Sequence, residues 1–337
     1  MISVAGRKIA LIGGAGFIGH NLAMALNQEG AEVHVIDSLQ VNNLLSFMPN
    51  GTPGVSKDLY LRMIHERLEL LHQQGNQLHI QDARDYHALS RILSSIKPQV
   101  VIHLAAVAHA GKSNKDPFST FDHSLRTLEN ALDWSRDNVE HFIYFSSSMV
   151  YGNFASGVVD EASICEPLGI YGALKFAGEK MVIAYQQVFN LPYTIIRPSA
   201  LYGERCVSRR VIQIFIENAM EGLEVRVDGD GSECLDYTYI DDLVLGIRKI
   251  IENEKSRNQV LNITYGQGRS INELIEVVKS YYPALKVRYS PKDTLMPNRG
   301  TLSVDKAKKL IDYQPQYSLE KGFQKYIEWY KSIFSHT

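Results

Sequence analysis

The amino-acid sequence predicts an α/β fold, a doubly wound parallel sheet with a smaller, interleaved C-terminal α/β lobe. In the first half of the chain, short apolar runs alternate with segments of helical spacing, which is typical of a parallel sheet with helices on both faces. After about residue 198 this alternation gives way to successive amphipathic helices. We therefore expect one domain over residues 1–198 and mainly a second lobe over 199–337, some segments of which return to the first domain.

The predicted elements follow the order that such a fold requires. The predicted strands are Lys8–Ile12, Glu32–Ile36, Leu78–Ile80, Val100–Leu104, Phe142–Phe145 and Tyr193–Ile196. The predicted helices are Phe17–Gln28, His87–Ile96, Phe118–Trp134 and Tyr171–Phe189, then Arg209–Met220, Asp241–Glu252, Asn272–Tyr281 and Leu319–Ser332 in the C-terminal lobe. The connection over residues 38–76 is too long for a simple link between strands. Its helical spacing over Lys57–Gln74 predicts an inserted helix near the mouth of a ligand site.

The composition excludes several classes of protein. The 337 residues include 35 Lys and Arg against 37 Asp and Glu, a net charge of −2, without the basic excess typical of nucleic-acid-binding proteins. No apolar run reaches the ~20 residues of a membrane-spanning helix, and the first residues lack the pattern of a signal peptide. The three cysteines lie far apart, with no CxxC pair and no metal-ligand spacing. We expect a cytoplasmic protein that binds no nucleic acid, membrane or metal.

A glycine-rich turn joins the first predicted strand to the first predicted helix. Gly14, Gly16 and Gly19 fit the spacing GxGxxG, and Gly13, Gly16 and Gly19 equally fit GxxGxxG. Such glycines let backbone N–H groups approach a pyrophosphate at the start of a helix. The next strand is followed by Asp37, whose carboxylate can accept both ribose hydroxyls of an adenosine and would repel a 2′-phosphate. These features predict a Rossmann-type domain that binds NAD in preference to NADP.

Three further residue types suggest acid–base chemistry. Tyr171 and Lys175 stand at i and i+4 of a predicted helix and therefore share a face. A lysine ammonium near a phenol lowers the pKa of that phenol and makes it a usable base near neutrality. The run Ser146–Ser148 follows the fifth strand, at the sheet edge where ligands bind in this architecture. A serine there can hydrogen-bond a substrate hydroxyl.

The motifs together resemble the nucleotide-sugar epimerase/dehydratase family of extended short-chain dehydrogenases/reductases. The segments that carry the resemblance are Gly13–Gly19, Asp37, Gln81–Asp85, His103–Ala106, Ser146–Gly152, Tyr171 with Lys175, Arg197–Pro198, Tyr202–Gly203, Asp228–Asp242 and Arg299–Leu310. The resemblance implies a cofactor site for NAD formed by Gly13, Gly16, Phe17, Ile18, Gly19, Asp37, Asp82, Ala83, Leu104, Ala105, Ala106, Lys175 and Pro198. It covers nearly the whole chain.

The resemblance also implies a reaction. Tyr171 would deprotonate a sugar hydroxyl with Ser147 assisting, while the sugar carbon passes a hydride to NAD. Lys175 would hold the nicotinamide ribose. The keto sugar would then be reduced again on its other face, and NAD would remain bound. Family members commonly form homodimers through the helices that correspond to Phe118–Trp134 and Tyr171–Phe189, so we expect a homodimer.

The residues after the serines indicate which sugar chemistry to expect. The resembling 4,6-dehydratases carry an Asp-Glu pair where this chain has Ser148 and Met149, and related decarboxylases carry Glu at the position of Met149. A thioether transfers no proton. Epimerisation at C4 needs only oxidation and reduction, so we predict an NAD-dependent nucleotide-sugar 4-epimerase. A decarboxylase, a 4,6-dehydratase, a 4-keto reductase and a non-catalytic nucleotide-binding protein are the alternatives.

The expected grip on the substrate diphosphate departs from the family pattern. Ala200 stands where many 4-epimerases have Asn, and Leu235 stands where many have Arg. Arginine suits a diphosphate because its planar fork donates two hydrogen bonds at once. The candidate substrate residues are therefore Ser148, Met149, Ala200, Arg205, Arg210 and Arg299, with Arg209 as a further arginine in the same loop. The sequence names neither the nucleotide base nor the sugar.

Overall fold

A computed structural model describes residues 2–47, 57–107, 110–154, 157–291 and 297–334. Its strands are β1 Lys8–Ile12, β2 Glu32–Asp37, β3 Gln77–Ile80, β4 Val100–His103, β5 His141–Phe145, β6 Val158–Val159, β7 Tyr193–Arg197, β8 Leu201–Tyr202, β9 Val225–Asp228, β10 Cys234–Asp236, β11 Thr238–Tyr239, β12 Gln259–Asn262, β13 Gly268–Ser270, β14 Val287–Ser290 and β15 Thr301–Leu302. Its α-helices are α1 Phe17–Gln28, α2 Leu44–Phe47, α3 Lys57–Gln73, α4 Tyr86–Ile96, α5 Ala110–Lys115, α6 Pro117–Phe121, α7 Thr127–Ser135, α8 Gly169–Phe189, α9 Val211–Met220, α10 Ile240–Glu252, α11 Ile271–Tyr281, α12 Asp305–Ile311 and α13 Leu319–Phe334.

The described residues form one seven-stranded sheet in the order β3-β2-β1-β4-β5-β7-β12. All of its neighbouring strands pair in parallel. The central strands are fully buried because helices cover both faces, and this explains their continuous apolar runs. The predicted Rossmann-type doubly wound α/β fold is confirmed.

Each face of the sheet has its own hydrophobic core. Helices α4, α7 and α8 pack over one face, where Leu89, Leu128 and Val182 are buried together. Helices α1, α3 and α10 pack over the other, with Leu22, Ile64 and other side chains in a core that continues into the C-terminal lobe. The inserted helix α3 therefore belongs to the main core of the molecule.

The C-terminal half of the chain is interleaved with the first. Strand β12 extends the large sheet by pairing with β7, Leu261 lying opposite Ile196. The other strands of this half form small two-stranded pairs, such as β9 with β14 and β10 with β13. Within the described residues no helix combines the length and apolarity needed to span a bilayer.

The predicted helix Phe118–Trp134 is not a uniform α-helix. A π-helical turn over Asp122–Arg126 separates α6 from α7. The carboxylate of Asp122 accepts hydrogen bonds from Arg126 at 2.6 Å and from Arg84 at 3.0 Å. Single π-helical turns often lie at functional sites, and this one borders the cleft described next.

Candidate active site

A cleft opens at the carboxyl edge of the sheet, where β1 lies between β2 and β4. Chain connections leave these strands in opposite directions, and such switch points are where ligands bind in this architecture. The cleft holds about 900 Å³ of empty space, including the part open to solvent. The predicted cofactor residues that line it are Gly13, Gly16, Phe17, Ile18, Gly19, Asp37, Asp82, Ala83, Leu104, Ala105 and Ala106.

The glycine turn shapes the floor of this cleft. Gly13 has φ +81°, and a Cβ there would lie 2.6 Å from the backbone nitrogen of Ala105, so only glycine fits. Gly14 is absent from the cleft lining, and a Cβ on it would meet Leu11 in the core at 2.7 Å. Of the two spacings in the sequence, GxxGxxG from Gly13 is therefore the one that faces the cleft.

The carboxylate of Asp37 lies beside that turn. Its two oxygens accept hydrogen bonds from the backbone N–H groups of Leu39 at 2.8 Å and Ala15 at 3.0 Å. Burial raises the pKa of Asp37, while these two hydrogen bonds and the charge of Arg67 oppose that shift. Each oxygen has a further lone pair for a ligand hydroxyl.

Several residues of the cleft have no role assigned from the sequence. Arg67 of the inserted helix α3 is fully buried in the wall and donates to the carbonyls of Arg205 and Asn42. His123 of the π-helical turn and Thr127 at the start of α7 line the opposite side. Only tertiary contacts bring these residues to the cleft, so spacing along the chain carries no signal for them.

Two predicted cofactor residues, Lys175 and Pro198, are absent from the cleft lining. Asp82, which lines it, accepts hydrogen bonds from the guanidinium of Arg84, the shortest at 2.6 Å, and this interaction holds the pKa of Asp82 below its usual range. Pro198 accepts a hydrogen bond at 2.9 Å from the backbone N–H of Ser148. The second contact ties the segment after β7 to the predicted serine run.

Lys175 and Ser147 come together at the end of β5. Lys175 is buried, and its Nζ donates to the carbonyl of Phe145 at 2.6 Å. The Oγ of Ser147 accepts from the backbone N–H of Met149 at 3.2 Å, and the same hydroxyl is near enough to the phenol of Tyr171 to lower its pKa against burial. The structure thus brings all three predicted catalytic side chains to one strand end.

The electrostatic surroundings of the phenol differ from the expected picture. Burial raises the pKa of Tyr171, while the charge of Arg210 and the hydrogen bond with Ser147 oppose that shift. The ammonium of Lys175 instead points at the carbonyl of Phe145. Burial lowers the pKa of Lys175 to about 8, against the opposing charge of Glu179.

The residues between the serines and Tyr151 form a 3₁₀ turn, Ser148–Tyr151. Ser148 and Met149 are both buried in it. A Cβ on Gly172 would lie 2.8 Å from the carbonyl of Met149, so α8 approaches this turn closely. Ala200 follows β7 with φ +36°, a left-handed conformation that is strained for a residue with a Cβ.

The candidate arginines differ in what they contact. The guanidinium of Arg205 donates to His20 at 2.9 Å, Glu66 at 3.0 Å and Asn21 at 3.2 Å, which joins α1 to α3. Arg210 lines the cofactor cleft. Its Nε and that of Arg299 are buried and have no hydrogen-bond partner among the described residues.

Arg299 lies in a second cleft with Asp228, Glu233 and Asn298 among its lining residues. Burial lowers the pKa of Arg299, and the neighbouring positive charge of Arg210 lowers it further, against the opposing charge of Glu233. Two guanidinium groups that repel each other, each with a buried Nε that has no partner among the described residues, form a site suited to an anion, although Glu233 already pairs with Arg299 at 3.8 Å.

The arrangement defines a class of protein. A glycine turn beside a buried carboxylate, with a Ser–Tyr–Lys group on the same doubly wound sheet, is the arrangement typical of an NAD-dependent site. The residues fit the cofactor because the Gly13 backbone leaves a cradle that any Cβ would fill. The described ranges contain no group of His, Cys, Asp and Glu suited to hold a metal ion.

The chain belongs to the NAD dependent epimerase/dehydratase family, whose sequence profile matches residues 9–264. It is 27% identical to protein CapI of Staphylococcus aureus, over 97% of this chain and 99% of that protein. The structure resembles that of UDP-glucuronic acid 4-epimerase from Bacillus cereus in complex with UDP-glucuronic acid and NAD, with TM-score 0.86, 26% identity and coverage of 97% and 99% of the two chains. It also resembles UDP-glucose 4-epimerase from Thermotoga maritima with UDP-glucose, with TM-score 0.81, 28% identity and the same coverage. The cofactor is NAD, and the chain is an enzyme.

Proposed function

We propose that the protein is an NAD-dependent 4-epimerase of a nucleotide sugar, with a UDP sugar as the first substrate to test. One observation carries this proposal. Ser147, Tyr171 and Lys175 meet at one strand end. Two residues after Ser147, the buried side chain is the thioether of Met149. The site therefore has the groups for oxidation and reduction without the acid that elimination requires.

In this mechanism Tyr171 is the base and then the acid. Its Oη takes the proton of the sugar C4 hydroxyl and later returns it, while Ser147 hydrogen-bonds the same oxygen. Bound NAD supplies the redox chemistry, the removal of a hydride from C4 and its return to the opposite face. Positive charge beside a phenol favours its ionised form. In this site the charge of Arg210 lowers the pKa of Tyr171 in that way. Lys175 holds the nicotinamide ribose.

We assign the substrate diphosphate to Arg210 and Arg299. Both have a buried Nε without a hydrogen-bond partner among the described residues, and Arg210 acts electrostatically on both Arg299 and Tyr171. The two arginines thus connect the second cleft with the catalytic phenol. Their guanidinium groups supply the hydrogen-bond donors that Ala200 and Leu235 cannot provide. Ser148 and Met149 border the sugar in this proposal.

In this proposal the two parts of the chain have different roles. Residues 1–198 hold NAD and the catalytic group, and residues 199–337 mainly bind the nucleotide sugar. Such an enzyme would supply sugar donors for carbohydrate biosynthesis in the cytoplasm, where the three free cysteines would stay reduced.

We also propose a homodimer formed through α6, α7 and α8. Phe118 of α6 is 82% exposed and Val188 of α8 is 69% exposed. Phe121 and Phe189, on the same two helices, are exposed as well. Exposed apolar side chains on helices that pack together are typical of a surface covered by another subunit.

Proton NMR of the purified enzyme with UDP-glucuronate and UDP-glucose in D₂O tests the function. An epimerase produces a second anomeric signal and places no solvent deuterium on the sugar carbons, because the same hydride returns. A dehydratase would give a 4-keto-6-deoxy sugar, a decarboxylase a pentose, and a net reductase would consume reduced cofactor. Any of these three outcomes overturns the proposal.

A further inference from the structure

Three side chains of α8 face three consecutive residues at the end of β5. Tyr171, Lys175 and Glu179 stand at i, i+4 and i+8 and form a single stripe along the helix. Tyr171 lies near the hydroxyl of Ser147, which lowers its pKa against burial, and Lys175 Nζ donates to the carbonyl of Phe145 at 2.6 Å. Glu179 contacts Ser146, the residue between Phe145 and Ser147, because Ser146 Oγ donates to its Oε1 at 2.5 Å.

Glu179 is itself fixed from the neighbouring strand. Arg197 of β7 donates from Nε to Oε1 at 2.9 Å and from Nη2 to Oε2 at 2.7 Å. Both side chains are buried, with 5% and 2% of their surface exposed. The guanidinium also lies 4.7 Å from the ring centre of Tyr151, so the carboxylate has one orientation available.

We propose that Glu179 is a positioning residue of the active site, which fixes Ser147 through Ser146 and holds the ammonium charge on the neighbouring Lys175. The stripe then has a division of roles. In the proposed reaction Tyr171 and Lys175 touch substrate and cofactor, whereas Glu179 acts only through Ser146 and Lys175.

The charges around Lys175 support this role. On its own helix lie the carboxylate of Glu179 and the phenol of Tyr171. From β4 the imidazole of His103 faces it, with its pKa lowered to about 3 by burial and by Lys175, and is therefore neutral. From β5 the neutral ring of Tyr144 lies 5.2 Å from Nζ. From β7 comes the guanidinium of Arg197, which is paired with Glu179 at 2.7 Å. Glu179 is thus the anion that raises the pKa of Lys175 against burial.

The titration of Lys175 tests the proposal without any substrate. The protein as purified is labelled with ¹³Cε-lysine, the Lys175 signal is assigned by its loss in Lys175→Arg, and its chemical shift is followed against pH. Glu179→Gln should move the midpoint down by about one pH unit, because it removes an opposite charge one helical turn away and leaves the charge of Arg197 without its partner. Glu217→Gln is the matched control, because Glu217 is an equally buried carboxylate that accepts from Tyr60 and Tyr330 in the other lobe.

A second variant tests the same proposal if Glu179→Gln does not fold. Ser146→Ala removes the bond to Glu179 and leaves the ion pair intact. Since the kcat readout rests on the proposed epimerase activity, it is read on whichever nucleotide sugar is turned over. We expect kcat to fall about tenfold or more with KM within about twofold, whereas Ser256→Ala, which removes an equally buried hydroxyl bonded to a carbonyl, should change neither. A Lys175 midpoint in Glu179→Gln equal to that of the wild type, or full kcat in Ser146→Ala, would overturn the proposal even where epimerisation is observed.

Discussion

Asp37→Ala is the substitution whose effect follows most directly from the geometry of the cleft. Each carboxylate oxygen of Asp37 already accepts one backbone N–H group, from Leu39 and from Ala15. A carboxylate has about four lone-pair sites, so two remain for the two hydroxyls of the adenosine ribose. Alanine removes both acceptors and leaves the backbone groups to water.

The magnitude comes from the number of hydrogen bonds lost. A hydrogen bond to a charged group contributes about 1.5–3 kcal/mol, so two of them contribute about 3–6 kcal/mol of binding free energy. At 1.4 kcal/mol for each factor of ten, the Kd of NAD should rise by about 100- to 10,000-fold. The nucleotide sugar contacts Arg210 and Arg299 in the proposed site, and its Kd should change by less than about threefold.

Isothermal titration calorimetry with each ligand separately measures both constants. Asp85→Ala is the control, because Asp85 likewise accepts a backbone N–H group, that of Ala88 at 3.0 Å, as the N-cap of α4. That variant should lose helix-cap stability and keep its NAD affinity. If Asp37→Ala weakens NAD and the nucleotide sugar equally, or weakens NAD less than tenfold, the ribose contact is misplaced.

Three further perturbations test other parts of the molecule. Tyr171→Phe should lower kcat by about 100- to 10,000-fold, the range of general acid–base catalysis, with NAD still bound; unchanged turnover would contradict its role as base. Burial raises the pKa of Asp236 from 3.8 in an unstructured chain to about 7, so the folded state keeps a proton that the unfolded chain releases. The free energy of unfolding should therefore fall by up to about 4 kcal/mol between pH 4 and 7; thermal unfolding of Asp236→Asn should lack that decrease, and parallel curves for both proteins would refute it. Phe118→Glu should give monomers by sedimentation at micromolar concentration, unlike Ile164→Glu at a comparably exposed position, and a monomeric wild type would contradict the proposed dimer.

Local patterns were sufficient to predict the fold, and they select residues that the structure brings to the same edge of the sheet. The glycine turn, Asp37 and the Tyr171–Lys175 pair are defined by residues close together in the chain, so their spacing determines their geometry. Strand burial also follows from composition, because a sheet covered on both faces needs continuous apolar runs. The strands β1, β4, β5 and β7 accordingly lie within a residue of their predicted bounds.

Contacts between distant segments could not be predicted in this way. Arg67 reaches the cleft because α3 packs on the main core, and His123 because α6 is followed by a π-helical turn. The backbone at Arg205 and Arg209 has positive φ, 60° and 49°, and these turns decide which arginine faces the cleft. No rule of spacing along the chain separates Arg205, which joins two helices, from Arg210, which lines the cleft.

The place of β12 in the large sheet has a consequence for how the protein is made. The ribosome synthesises the core strands of the first domain early. The strand β12, which pairs with the outer edge of β7, is complete only when Asn262 has been added. Until then the nascent chain presents an unpaired strand edge, and Tyr151 lacks Asn262, whose side chain accepts from its hydroxyl at 2.7 Å. Exposed strand edges of this kind pair readily with other chains. Co-translational folding of the cofactor domain therefore ends only after β12, well inside the substrate lobe, has been synthesised.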